Sequence, residues 1–458
     1  MNSNSQNDCR HAIVIGGSMA GLLAARVLSD FYQQVTVLDR DTLPVSGENR
    51  RGVPQGRHTH GLLSGGREAF EKLFPGISAQ LQAAGAIASD IVGDGRWFLE
   101  GACHCRFDSG LVGLLMSRPF FESFVRERVR ALPNVRFRQG QEVRGITASP
   151  DNRRVTGVAL AGETLSAGLV MDTCGRGSHS PQWLEAMGYP VPREERVSVG
   201  ISYTTRFFRR RPSDLHGDVA LIIPSTPSGK CGGVALVQEG SRWTVTLLSH
   251  FGASAPPDLE GFIEFARRLP APYIYELVRS AEPLGEPAML RFPASVRRRY
   301  EKLARFPEGY LVMGDALSSF NPIYGQGMTV AALEALDLQA VLAQPAPPLA
   351  RRFFARAAKT IDTPWSIAVG NDLRMPETAG PRTLGVKVIN AYMAKLHKAA
   401  HHDPAVALAF HRVGNLLAPP ASVLHPRIAL RVLWGNLRSR PVEASPASSP
   451  ALDANPAQ

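Results

Sequence analysis

The chain has 458 residues, with 51 Lys and Arg against 40 Asp and Glu and a formal charge of +11, long enough for one large domain or two to three ordinary ones. Hydrophobic residues make up 44% and charged residues 20%, and the 42 Gly and 35 Pro together are 77 of 458, a share that excludes collagen-like, fibrous and wholly disordered chains. No run of about 18 apolar residues occurs, and the opening MNSNSQNDCR has neither the basic start nor the apolar stretch of a secretory signal, so a soluble cytoplasmic protein is expected. Cys9, Cys103, Cys105, Cys174 and Cys231 make no disulfide framework in so long a chain, which fits a reducing compartment.

Residues 11–15 form a short apolar run ending at Gly16-Gly17, after which Ala20, Leu23, Ala24, Val27 and Leu28 recur on a helical period. A second apolar run, 35–38, ends on Asp39. Strand, tight turn, helix and a parallel second strand are therefore predicted, a βαβ start whose sheet is buried on both faces. Residues 97–116 read as Gly-broken strand, 120–132 as a helix with Arg and Glu on its polar face, and 135–137 and 143–160 as further strands. From 196 to 252 the pattern changes to short alternating strands (197–208, 220–223, 233–237, 243–249) divided by Pro, Gly and Ser turns, as in an antiparallel sheet. Helices near 258–280, a strand at 288–292 and a buried strand at 310–313 follow. Beyond Gly327 the chain reads as helical to about residue 438, and the tail from Pro441 has too few apolar residues to pack, so disorder is expected there.

Three segments carry chemistry. Gly16-Gly17-Ser18-Met19-Ala20-Gly21 matches the first and third glycines of G-x-G-x-x-G, with Ser18 in place of the second. The turn and the following helix N-terminus suit a pyrophosphate, and Asp39, at the tip of the second strand, can accept the hydroxyls of an adenosine ribose. Asp172-Thr173-Cys174-Gly175-Arg176-Gly177-Ser178 is a second strand-to-turn segment. Gly314-Asp315-Ala316 then ends a third strand and is followed by Asn321-Pro322-Ile323-Tyr324-Gly325-Gln326-Gly327-Met328 at a helix start. That helix end would stabilise negative charge on a ring system, and the carboxylate would bind a polyol hydroxyl.

The three fingerprints together resemble the para-hydroxybenzoate hydroxylase-like superfamily of FAD-dependent monooxygenases, and within it the flavin-dependent epoxidases and hydroxylases of bacterial natural-product pathways. The same likeness is carried by Arg50-Arg51-Gly52-Val53-Pro54-Gln55-Gly56-Arg57-His58-Thr59-His60, by Ser117-Arg118-Pro119 and by Pro364-Trp365 with Asn371-Asp372-Leu373, and it spans residues 11 to about 435. It implies an α/β fold: a Rossmann-like FAD-binding domain of glutathione-reductase type (1–92, 117–195 and 293–345), an inserted, mainly antiparallel substrate-binding sheet domain (93–116 and 196–292), and a helical C-terminal region (346–440) before the tail (441–458). By this resemblance Gly16, Ser18, Met19, Ala20, Gly21, Asp39 and Arg40 would hold the ADP half of FAD. Arg118 would reach its phosphates or ribityl chain, Gly314 and Asp315 would hold the ribityl hydroxyls, and Gly175 would lie in the middle turn. Arg51, Val53, Pro54 and Gln55 would line the isoalloxazine, while Pro322, Gly325, Gln326, Gly327 and Met328 would face its pyrimidine edge. The insertion of Thr173-Cys174 before Gly175 departs from the Asp-Gly dipeptide of the aromatic hydroxylases, where NADPH docks.

The activity so implied is insertion of one oxygen atom of O2, through a flavin C4a-hydroperoxide, into a lipophilic alkene or aromatic intermediate, free or carrier-bound. NAD(P)H would be the reductant, directly or through a separate flavin reductase. The alternative is an FAD-dependent reductase or dehydrogenase of a prenyl or polyene substrate; the distant one is a non-enzymatic anion-binding protein. No catalytic residue is assigned beyond the weak candidates Tyr324 and His58.

Cys103-His104-Cys105 reads as an alternating strand segment lacking a second ligand pair, so no metal is expected. Cys174 and His58, conceivable points of covalent flavin attachment, read instead as a buried thiol and a hydrogen-bonded imidazole; His60 has the same weak standing. The arginines near 208–211 and 297–299 read as solvated faces. From residue 341 onward 14 basic residues oppose 6 acidic ones, interleaved with Ala and Leu and without a nucleic-acid-binding signature, so no nucleic acid is expected. Arg351, Arg352 and Arg356 are expected to steer an acidic or carrier-bound substrate, and 416–433 is a candidate for membrane-surface contact.

Overall fold

The computed structural model describes residues 10–344 and 346–438; Cys9, Arg440 and the tail from Pro441 lie outside the described residues. Five strands form one sheet in the order Tyr310–Val312, Leu169–Asp172, His11–Ile15, Gln34–Asp39, Val135–Gln139. Every adjacent pair is parallel. The central strand is apolar at consecutive positions because both of its faces are covered: Ala12, Ile13 and Val14 have no exposed surface. The Met19–Leu28 helix completes the predicted βαβ start and packs against the later helix Gly327–Leu342. This places the N-terminal glycine turn beside the strand end that carries Gly314 and Asp315.

The second sheet has eight strands in the order Ser318–Ser319, Pro283–Arg298, Glu194–Arg209, Arg242–His250, Cys231–Gln238, Ala220–Ile223, Gly95–Leu99, Ala102–Cys103. Its pairings are antiparallel apart from Ala220–Ile223 with Gly95–Leu99. The four strands expected between 196 and 252 are present, whereas Val112–Leu115 joins a separate small sheet with Gly61–Leu62 and Ile87–Asp90. The strand expected at 288–292 is far longer, running across residue 292, the edge expected for the sheet domain. Its polar end stays in the ladder because each arginine finds an acid: Arg298 with Glu194 at 2.9 Å and Arg299 with Glu195 at 2.5 Å. Arg297 corrects the expectation of a solvated face. It is buried, paired with Asp362 at 2.7 Å, and donates to the Ala358 carbonyl at 3.1 Å.

The helices Leu259–Arg267 and Tyr273–Val278 close a second core over this sheet around Phe208, Trp243 and Phe262. The C-terminal region consists of Leu349–Asp372, Leu384–Ala400, Pro404–Gly414 and Pro426–Arg438; the last three share a small core of their own around Leu396, Val406 and Val432.

Candidate functional site

At the first turn, Gly16 has φ +102°, and a Cβ there would lie 2.9 Å from the Thr173 carbonyl oxygen; one on Gly21 would sit 1.8 Å from the Gly16 oxygen. Both glycines are therefore demanded by the close approach of turn, strand and helix. Ser18 stands at the N-cap of Met19–Leu28 but does not cap it with its side chain. Its hydroxyl instead donates to Glu122 Oε2 at 3.1 Å and accepts from Arg118 Nη2 at 3.0 Å. The positive end of the helix is left for an anion.

Asp39 accepts from the Gly17 N–H at 2.7 Å and the Asp41 N–H at 2.8 Å. The arginine beside it is Arg50, whose buried guanidinium reaches Asp39 at 3.2 Å, Asp41 at 3.1 Å and Glu122 at 3.0 Å. Burial opposes the Arg50 charge, but the three carboxylates outweigh it and raise its pKa; burial likewise opposes the Glu122 charge, and Arg118, Arg50 and Arg126 pull that carboxyl below its ordinary value. Arg51, by contrast, is exposed and does not line the cavity described below.

At the other end of the parallel sheet, Gly314 donates its N–H to Glu334 Oε2 at 2.6 Å. Burial raises the Glu334 carboxyl to about 8, so at neutral pH it is a neutral acid holding the turn that presents Asp315. Asp315 is open to the cavity but enclosed by protein, and this desolvation raises its carboxyl as well. In the loop that follows, Asn321 accepts from the Tyr203 hydroxyl at 2.8 Å and donates to Asp372 Oδ1 at 2.9 Å; the Tyr324 hydroxyl donates to the same oxygen at 2.8 Å and accepts from Asn371 at 3.0 Å. Asp372 Oδ2 is buried with no hydrogen-bond partner among the described residues, and burial lifts the carboxyl to about 6. The Tyr324 phenol is pushed well above its ordinary value by burial and by Asp372.

One continuous cavity of about 1250 Å³ joins these pieces. Gly16, Ser18, Met19, Ala20, Asp39, Arg40 and Arg118 line its polar end, and Pro54, Gln55, Gly175, Gly314, Asp315, Pro322, Gly325, Gln326, Gly327 and Met328 line its middle. The far chamber is lined largely by apolar side chains, Trp97, Ile222, Leu236 and Leu248 from the large sheet and Ile389 and Met393 from the Leu384–Ala400 helix. Of the residues expected to touch the cofactor, Gly21, Arg51 and Val53 do not line it: Gly21 is packed on Gly16, Arg51 points outward, and Val53 is buried behind the wall.

Tyr324 and His58 both line the cavity. His58 bonds to the Thr205 hydroxyl at 2.8 Å and burial lowers it to about 4, which leaves a neutral ring; His60 contacts the His58 carbonyl at 2.8 Å and is lowered to about 4 by the same cause. Cys174 is not the buried residue expected but is exposed and lines the cavity; desolvation by the enclosing protein and Asp172 push its thiol far up, so it is no ready nucleophile. Asp172 itself is fully buried, accepting from the Cys174 N–H at 2.8 Å, from Ser178 at 2.5 Å and from Ser180; it holds the turn rather than a ligand. His104 lies in a buried chain of rings, 3.3 Å from His411 and 3.2 Å from His397. Arg351, Arg352 and Arg356 do not line the cavity: Arg352 donates to the Val341 and Ala346 carbonyls and Arg356 pairs with Asp337 at 3.1 Å.

Sequence reasoning passed over Arg50, Glu122, Glu334 and Asp372 as individual site residues. Only Glu122 had a local signal, four residues after Arg118 on one helix face.

No family model matches the chain. It is 36% identical over 453 residues to protein Rv3254 of Mycobacterium tuberculosis, covering 93% of this chain and 94% of that one. Its fold is similar to that of a flavoprotein/dehydrogenase from Cytophaga hutchinsonii, with a TM-score of 0.67 at 14% identity over 93% of this chain and 98% of that one. It is also similar to PqsL of Pseudomonas aeruginosa, a probable FAD-dependent monooxygenase, with a TM-score of 0.58 at 15% identity over 87% and 98% of the two chains. The chain thus belongs to the family of the mycobacterial protein Rv3254, with a fold similar to that of solved flavin-dependent proteins.

Proposed function

We propose that this protein is an FAD-dependent monooxygenase that transfers one oxygen atom of O2 to an apolar alkene or aromatic intermediate of a natural-product pathway. The observation that carries the reading is the single cavity running from an uncapped helix end and Asp39, past Asp315 and the Asn321–Met328 loop, into an apolar chamber. Its volume exceeds the roughly 300–1,000 Å³ of an ordinary small-molecule site, as a site for both cofactor and substrate requires.

The residues present fit FAD. Gly16 and Gly21 let the turn close tightly against strand and helix, Arg118 supplies a cation beside Ser18, and Asp39 and Asp315 line the cavity where they would accept from the ribose and ribityl hydroxyls. When bound, FAD would supply the activation of O2 after reduction by NAD(P)H or by a separate reductase. The protein's part is to hold, dry and protonate. The start of the Gly327–Leu342 helix offers its positive end to negative charge in the middle of the cavity. Tyr324 and Asp372 keep protons at the phenol oxygen and, below about pH 6, at the carboxyl, within hydrogen-bond reach of one another. The sheet and the helical wall exclude water from the apolar chamber. Because Asp172 is saturated by its own turn, the structure supports no NADPH contact through that carboxylate.

The cofactor assignment is tested with Asp315→Ala, which should purify with markedly reduced FAD; full occupancy would refute it. The reaction is tested by incubating reduced enzyme with candidate alkenes and phenols under labelled O2. One labelled oxygen in the product supports the monooxygenase, whereas a gain of two hydrogens without oxygen establishes the prenyl-reductase alternative.

A further inference from the structure

The charge excess has a definite address. Between Arg382 and Arg438 there are eight Lys and Arg and one acid, Asp403, a net +7 within the +11 of the whole chain. Asp403 is already paired with Arg431 at 2.9 Å. In the same stretch lie seven of the eleven large hydrophobic side chains that are exposed among the described residues. Four of these, Leu430, Leu433, Trp434 and Leu437, follow the i, i+3, i+4, i+7 spacing that puts them on one face of the Pro426–Arg438 helix, and all are more than half exposed. The opposite face, with Val432 buried and Asn436 donating to the Lys395 carbonyl at 2.9 Å, packs on Leu384–Ala400. Arg431 near Asp403, Gly435 against Ala399 and Asn436 on Lys395 show that the two helices run antiparallel.

An ordinary surface helix turns its apolar stripe inward. This one turns Leu and Trp outward and flanks them with Arg427, Arg431 and Arg438, the last lying over the Trp434 ring at 5.5 Å. We infer that the outer face of Pro426–Arg438, with the exposed Leu384 and Val388 of its neighbour, docks on an anionic lipid bilayer, the apolar stripe entering the headgroup boundary and the basic residues meeting lipid phosphates. A second copy of the chain is disfavoured as occupant because the self-apposed face would set like charges together with only one acid to offset them. The Leu384–Ala400 helix contributes Val386, Ile389 and Met393 to the cavity wall, so docking sets that wall close to lipid. The inference rests on surface chemistry and stands whether the cavity catalyses oxygen transfer or reduction.

The test is co-sedimentation of the full-length protein with vesicles of phosphatidylcholine alone and of phosphatidylcholine mixed with phosphatidylglycerol. Binding to the anionic vesicles that weakens with salt, and weaker binding to the neutral ones, is expected. Leu433→Ser/Trp434→Ser/Leu437→Ser should lower partitioning on the order of 100-fold. Arg427→Gln/Arg438→Gln, which leaves the apolar face intact, should lower it by about 25-fold, at about 5-fold per arginine, on anionic vesicles only. FAD content and circular dichroism should match wild type in both variants. Wild-type protein that stays in the supernatant with both kinds of vesicle overturns the inference. So does a wild-type dimer that the triple Ser variant converts to monomer without any vesicle binding, an outcome that would assign the face to a second copy.

Discussion

Asp372 offers the sharpest quantitative test of how the cavity handles protons. Its carboxyl is lifted by burial from an ordinary value of 3.8 to about 6, although Tyr324 and Asn321 both donate to Oδ1. Between those two values the folded protein keeps a proton that the unfolded chain has lost, so stability falls as pH rises through the window. At about 1.4 kcal/mol per pH unit, the penalty is fully developed above about pH 6 and amounts to about 3 kcal/mol. Asp372→Asn keeps an acceptor for both donors and removes the titration. It should match wild type near pH 4 and become the more stable protein by up to about 3 kcal/mol near pH 7. Denaturant unfolding of both proteins at matched FAD occupancy, from about pH 4 to about pH 8, reads this as a widening gap in midpoint. A gap that stays constant with pH, or one that favours wild type as pH rises, would refute the assignment of a neutral carboxyl to this position.

Other substitutions separate the remaining parts of the site. Gly21→Ala sets a methyl 1.8 Å from the Gly16 oxygen and should give protein that no longer retains FAD, seen as loss of flavin absorbance; retention would show that the helix can shift away. Arg50→Ala leaves Asp39 and Asp41 without their cation while Glu122 keeps Arg118, and it should cost about 3–5 kcal/mol with weaker FAD binding, while exposed Arg51→Ala should leave both thermal midpoint and FAD titration near wild type. His104 and His411 are lowered by burial from 6.5 to about 3. Below 6.5 the unfolded chain therefore takes up protons that the folded one refuses, and stability is lost as pH falls. His104→Gln should flatten the fall of melting temperature with acidification; an unchanged slope would mean that this ring does not stay neutral.

Local patterns in the sequence reached the parts of the site that are built locally. Residues 11–39 contain a strand, a glycine turn, a helix and an acid in register, and each piece is determined by its own neighbours, so the arrangement was legible. The Gly314-Asp315 strand end and the loop up to Met328 were legible for the same reason. Which of two adjacent arginines turns inward was not. Arg50 is selected by carboxylates from residues 39, 41 and 122, which only the folded sheet and the Arg118–Arg130 helix bring together. Asp372 reaches Asn321 from the end of a helix 51 residues later, and His104 meets rings 293 and 307 residues away, separations at which no periodicity carries information. The basic C-terminal region was visible as composition, but the spending of charge differed from expectation. Arg352 and Arg356 are held by the preceding helix, and most of the region's net charge, +7, lies between Arg382 and Arg438.

The two sixteen-residue strands, Glu194–Arg209 and Pro283–Arg298, have a mechanical meaning. At about 3.3 Å per residue each is about 50 Å long, and they are paired to one another along most of that length. Val197, Val199, Ile201 and Tyr203 anchor one end in the main core, while Phe208 is embedded in the core of the large sheet. They act as a double girder fixed in both hydrophobic bodies, and bending it would break the ladder and both cores together. The floor of the cavity is thus stiff, and the distance from the Asp315 turn to the apolar sheet face is a built-in constant of the fold that substrates must fit.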